Sequence, residues 1–263
     1  MLDHQMEDSF SMRLIINADD LGISPQVNAA IFTLMQAGLV TSATMLPNAP
    51  ALEAAAAGSF RHPHCSFGVH LNLSQFPPLQ PHPAFAGILD EEGCFTKKVL
   101  SAPLGLGMMR AALAEWRAQV ARIQACGITV SHLDSHDNVH VRRPELFPIL
   151  KMIQKEFGIR KVRITKNIYS PRSPLRSRGL YCQKMIFNYA LRHVYRTVTT
   201  SGFTTFQSYL EAPVEDQRRY SSVELSVHPG HPAQEFVQET ASLQTPWREK
   251  LGFPVDLITY RTL

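Results

Sequence analysis

Leu14-Ile15-Ile16-Asn17-Ala18-Asp19-Asp20-Leu21-Gly22 runs from an apolar stretch into two adjacent carboxylates, and Ile23-Ser24-Pro25 follows. An apolar run this short reads as a strand buried in a parallel sheet. Ser24 and Pro25 then supply an N-cap and a first helical residue. Val27, Ala30, Ile31 and Leu34 recur at helical spacing before Gly38 closes the helix. Two like charges at the mouth of a strand cost stability unless a metal ion or a shared proton separates their roles. The same pair also suits a turn or an N-cap, so on this stretch alone both readings stand.

The strand-to-helix unit repeats along the chain. Strands are predicted over residues 41–46, 66–73 (carrying His70), 128–133, 161–165, 222–227 and 255–260, and helices over 51–57, 108–126, 144–157 and 180–198. Such alternation argues for one α/β domain with a mostly parallel sheet. An open doubly wound sheet and a distorted (β/α) barrel both fit it, and both gather functional side chains at the carboxyl ends of strands. Asp19, Asp20, His70, His136 and His228 all fall at such ends. Four strands feed one mouth more readily in a closed sheet, which favours the barrel. The domain is expected over residues 12–263, behind a disordered tail at 1–11.

Composition narrows the function classes. Among 263 residues, 26 Lys and Arg against 22 Asp and Glu are too near balance for a nucleic-acid footprint. Cys65, Cys94, Cys126 and Cys182 lack the spacing of a structural zinc site. Residues 1–11 are polar and acidic, unlike a signal peptide, and no apolar stretch reaches the roughly 20 residues of a membrane span. These features lead us to expect a cytoplasmic protein with reduced thiols. The cationic run from Arg172 to Arg178, rich in Ser and Pro, reads as a solvated loop, with contact to an anionic group as the alternative.

Ser131-His132-Leu133-Asp134-Ser135-His136-Asp137-Asn138-Val139-His140 concentrates three histidines and two aspartates just after a strand. One carboxylate and two imidazoles make a three-ligand set with open positions, as catalytic zinc and other divalent ions use for hydrolysis. A second carboxylate can take a proton from water, and a further histidine can protonate a departing amine. Asp19, Asp20, His70, His136 and His228 supply that inventory.

Four segments carry a specific resemblance: Asn17-Ala18-Asp19-Asp20-Leu21-Gly22, Gly68-Val69-His70-Leu71-Asn72-Leu73, His132-Leu133-Asp134-Ser135-His136 and Val227-His228-Pro229-Gly230. In this order they resemble the signature segments of the YdjC family of carbohydrate deacetylases. The resemblance implies a distorted β/α barrel that removes the N-acetyl group of an amino sugar with one divalent ion. By motif position it assigns Asp20, His70 and His136 to the metal, Asp19 to the general base and His228 to the general acid, although the roles of the two aspartates can be exchanged. Zinc suits the set best, with magnesium, cobalt or manganese as alternatives, and relatives suggest a homodimer. Family members commonly carry His-x-His-x-His after Asp-Ser, whereas Asn138 replaces the middle histidine here, which bears on substrate contacts.

Asn72, Asp134, Asn138, His140 and Arg163 are further candidates for substrate binding or for support of the ligands. Asp134 would orient a ligating histidine or cap a turn, and His140 would line the sugar pocket or sit on the helix leading to Pro144. Arg163 would reach the site or pair within the core. Trp116 reads as packing, and Trp247 as a loop residue that is either packed or available to a sugar or a partner. Residues 75–103 are expected to shape the pocket rim. Two rival readings are a metal-dependent hydrolase of another bond, such as a phosphoester, and a non-catalytic sugar-binding relative.

Overall fold

The computed structural model describes residues 11–175, 177–194 and 196–263. The expected tail therefore lies, apart from Ser11, outside the described residues, as does Arg176 of the cationic run. In chain order the elements begin with β1 (Met12–Leu21), α1 (Pro25–Gln36), β2 (Ser42–Met45), α2 (Leu52–Ser59) and β3 (Ser66–Leu71). Then follow α3 (Leu106–Ala125), β4 (Leu133–Ser135), α4 (Val139–Arg142), α5 (Phe147–Phe157) and α6 (Arg178–Tyr189). The chain continues with β5 (Gly202–Thr205), α7 (Phe206–Glu211), α8 (Val214–Arg218), β6 (Ser222–Val227), α9 (Gln234–Leu243) and β7 (Val255–Leu257).

All the paired strands run parallel, in the order β4-β3-β2-β1-β6-β5, with β7 beside the first residues of β1. The stretch predicted as a strand at 161–165 makes isolated bridges, Leu133 to Val162 and Lys161 to Val198. Further along it, the Asn167 amide donates to the Phe203 carbonyl at 3.1 Å. This irregular stave joins β4 to β5 and bends the sheet into the distorted barrel expected from the sequence.

β1 explains why the interior can hold a site. Leu14, Ile16 and Ala18 belong to the main core. The alternate residues face inward: Ile15 packs against Ile258 and Tyr260 at the amino-terminal end, Asn17 bonds Thr44, and Asp19 lies above them. Inside the barrel the Ser66 hydroxyl donates to Ser42, and the Tyr260 amide donates to Ser66. The run is thus apolar toward the helices and polar toward the axis, a period of two on which sheet register depends.

Several elements differ from expectation. The strand predicted at 128–133 forms later, as β4, because only its last residue pairs in the ladder with β3: Val69 pairs with Leu133, and pairing continues past the predicted end, His70 with Asp134 and Leu71 with Ser135. The helix predicted over 144–157 opens with a 3-10 turn at Pro144–Leu146 before α5. The one predicted over 180–198 ends as α6 and a π turn, Ala190–Val194. Residues 75–103 carry two 3-10 turns and bury Phe85, Ile88, Phe95 and Val99. Arg143 holds that segment through the Val99 and Ala102 carbonyls.

Candidate metal centre and its acid and base

A regular strand would send Asp19 and Asp20 to opposite faces. Between Ala18 and Leu21 the register of β1 against β2 shifts, and Asp20 adopts the left-handed region at φ 66°. A bulge with a left-handed residue re-aims its side chain, so both carboxylates reach the carboxyl-terminal mouth. Both are buried.

Asp20 Oδ1 lies 2.9 Å from His136 Nδ1 and 3.3 Å from His70 Nε2. The donor atoms of Asp20, His70 and His136 lie within 4.8 Å of one another. His70 comes from β3, His136 from the turn after β4, and the two rings meet edge to face at 5.4 Å. Asp134, the cross-strand partner of His70, approaches its Nδ1 at 2.6 Å. That contact directs Nε2 toward Asp20, the carboxylate–histidine pairing common behind metal ligands. The Thr44 hydroxyl donates to the other Asp134 oxygen at 3.0 Å.

Asp19 is held differently. Arg163 NH1 donates to its Oδ2 at 2.8 Å and NH2 to its Oδ1 at 2.6 Å, while Asn17 Nδ2 adds a bond of 2.9 Å to Oδ1. Arg163 is buried and also reaches Asp134 at 2.9 Å and Glu224 at 2.7 Å. Its guanidinium is fully engaged by these carboxyls. Burial opposes its charge, but Asp134, Asp19 and Glu224 more than offset that and push its pKa well above the usual arginine value. Asp19, His70 and Asp134 form a second close set of donors, but the guanidinium already bonds both of its carboxylates.

His228 follows β6, and its Nε2 stands 3.7 Å from Asp19 Oδ2. Glu239 of α9 accepts from the His228 amide at 2.9 Å and lies 3.5 Å from Nδ1. Burial works against a charged imidazole here, yet Glu239, Asp19 and Asp20 outweigh it and raise the His228 pKa above 6.5. Burial likewise opposes ionisation of Asp20, but hydrogen bonds from His136, His231 and His70 hold its pKa well below the usual value.

The chemistry of the donors tests the fit of a cation. Asp20, His70 and His136 bring one carboxylate and two imidazoles together, a mixed oxygen and nitrogen set that suits a divalent ion. Deeper in the barrel, burial pushes Glu224 up to about 7 against the pull of Arg163 and Tyr260.

The remaining candidates fall around this centre. Asn72 is buried and turned into its loop, bonding Asn48 and the Gln75 carbonyl through Nδ2 and accepting from the Ser74 amide. His140, on α4, is buried between the Ser135 hydroxyl at 2.6 Å and the Arg163 carbonyl at 3.2 Å. Asn138 takes the left-handed conformation at φ 54° beside Asp137 at φ 53°, and Lys97 pairs with Asp137 at 3.0 Å. Trp116 and Trp247 are both buried, Trp247 against Phe206 at 5.2 Å, so neither is available to a sugar ring. In the cationic loop, Arg172 pairs with Glu211 at 2.9 Å.

Three residues at the site escaped sequence reasoning. His231 Nε2 contacts Asp20 Oδ2 at 3.0 Å, Glu239 backs His228, and Glu224 bonds Arg163 and the Tyr260 hydroxyl. His231 carried the one available signal, a second histidine three positions after His228.

Fold and site together define an α/β barrel whose mouth holds an Asp-His-His set that could hold a cation, flanked by a carboxylate and an imidazole. The chain belongs to the YdjC-like protein family, whose model matches residues 13–252. A protein of Halalkalibacterium halodurans named carbohydrate deacetylase is 36% identical over 149 residues, which span 56% of this chain and 62% of that protein. A Brevibacillus brevis protein of the same name is 32% identical over 231 residues, spanning 84% of this chain and 82% of that protein. A solved structure from Enterococcus faecalis, described as a candidate cellobiose-phosphate cleavage protein, shares the fold with a TM-score of 0.73 at 22% identity, over 96% of this chain and 98% of that one.

Proposed function

We propose that this protein is a metal-dependent hydrolase that removes the acetyl group from an N-acetylated amino sugar. The reading is carried by the junction of two arrangements at one mouth: Asp20, His70 and His136 around a common point, and Asp19 within 3.7 Å of His228 beside it. The names of the relatives support the sugar and the reaction. Asp20, His70 and His136 would hold one divalent ion, which when bound polarises the acetamide carbonyl and makes water more acidic. Zinc fits the mixed donor set best.

Asp19 accepts the proton of the attacking water as its oxygen bonds to the carbonyl carbon. Arg163 and Asn17 hold that carboxylate in one orientation, which secures the geometry proton transfer needs. As the C–N bond breaks, His228 gives its proton to the sugar nitrogen, and acetate and the free amine leave. Asp134 keeps His70 turned toward the ion, and His140 ties the end of β4 to Arg163.

Paired substitutions test these roles. Asp19→Asn is expected to bind a divalent ion like the wild type while turnover falls by about 10²–10⁴-fold, the usual worth of an acid–base group. His136→Ala is expected to lose ion binding and turnover together. Wild-type turnover in Asp19→Asn, with ion content checked by elemental analysis, would remove Asp19 from the role of base.

A further inference from the structure

Asp20 has two carboxylate oxygens, and the proposed ligand set uses one. Oδ1 faces His70 and His136, whereas Oδ2 meets His231 Nε2 at 3.0 Å. Two elements fix His231. Behind it, Gly230 has φ +80°, and a Cβ there would come within 2.9 Å of the Val27 backbone and 3.0 Å of the Ala30 side chain. Only glycine permits that close passage over α1. Ahead of it, Phe236 of α9 packs on His228 at 4.4 Å and on His231 at 5.4 Å.

Asp20 needs such support. Its left-handed backbone leaves the carboxylate outside the regular ladder, and a free carboxylate can present one oxygen or both to a cation. Two sets of donors lie within 4.8 Å of one another, Asp20-His70-His136 and Asp19-His70-Asp134, and His231 belongs to neither. Its place is behind the carboxylate.

We infer that His231 is a positioning residue of the cation site: it donates from Nε2 to Asp20 Oδ2 and so restricts Asp20 to a single-oxygen contact through Oδ1. Coordination positions that a two-oxygen contact would occupy stay open for water and substrate. The inference rests on Asp20 being a ligand, and a control for that is part of its test.

Protein stripped with a chelator is titrated with Co²⁺, and affinity is read by calorimetry alongside the visible absorption of the bound ion. His231→Phe keeps an aromatic ring beside Phe236 but has no donor. It should bind Co²⁺ about 10- to 100-fold more weakly, the usual effect of losing a group that orients a ligand, with a changed cobalt spectrum. His231→Gln retains an N–H donor at similar reach and should restore most of the affinity and the wild-type spectrum. Asp20→Asn should lose tight binding, and wild-type binding there would overturn the ligand assignment itself. With that control behaving as expected, wild-type affinity and spectrum in His231→Phe would overturn the role of His231. So would a His231→Gln protein as weak as His231→Phe.

Discussion

Asp19 and Asp20 are neighbours of identical chemistry, and their surroundings give them different work. Asp19 is gripped by a guanidinium in a two-point contact, while the Asp20 carboxylate meets three imidazoles. The resemblance assigned the two aspartates these different roles by motif position, but the contact that holds Asp19 was not legible, because Arg163 lies 144 residues away. His228 shows how one neighbour tunes another. The proposed acid must be protonated to act, so kcat/KM should fall as pH rises through the His228 pKa, which lies above 6.5. Replacing Glu239 by Gln removes a negative charge that raises this pKa. The alkaline limb of the pH–rate profile should then move to lower pH, and a limb that stays in place would separate Glu239 from the acid. Asn138 occupies the left-handed region at φ 54°, a conformation that asparagine adopts readily.

At the scale of elements, the strands that carry the site were legible because apolar runs end in polar motifs, as at Asp19-Asp20, His70 and His228. β6 appears over the predicted residues, Ser222–Val227. β5 and α9 were missed. The segment Gly202-Phe203-Thr204-Thr205 has little apolar signal because Thr204 is buried in a polar interior. α9 buries only Glu239 and Leu243 and leaves Val237 exposed, so few apolar residues mark its core-facing side. Glu239 went unseen with its helix, and His231 is a contact across 211 residues to Asp20. Gly68 shows what a motif glycine is for: a Cβ there would stand 2.5 Å from the His132 ring, which stacks on Tyr260 at 3.6 Å.

For the whole molecule, the polar barrel interior sets the response to pH. Burial drives His132 down to about 3 and His140 down to about 4, so both are neutral in the folded protein over a range where the unfolded chain, titrating near 6.5, is charged. The unfolded state then binds more protons, and stability falls as pH drops below 6.5. Glu224 acts in the opposite sense: with its pKa raised from 4.5 to about 7, it takes up a proton earlier in the folded state. It offsets one histidine between about 7 and 4.5 and nothing further below. Urea unfolding of the ion-free protein should show a mild loss of stability from pH 6.5 to 4.5 and a steeper loss below, at about 1.4 kcal/mol per pH unit for each unbalanced proton. Constant stability down to pH 3.5 would contradict the buried, neutral histidines.

The same interior gathers one carboxylate and two imidazoles at the mouth, and the proposed reaction depends on a divalent ion meeting them. The most direct test is acetate release from N-acetylglucosamine oligomers by chelator-treated protein, before and after stoichiometric zinc is restored. The account predicts negligible release without the ion and catalytic release once it is bound. Equal release in both states, or none with zinc bound at Asp20, His70 and His136 across free, oligomeric and lipid-linked N-acetylated sugars, would contradict a metal-dependent deacetylase.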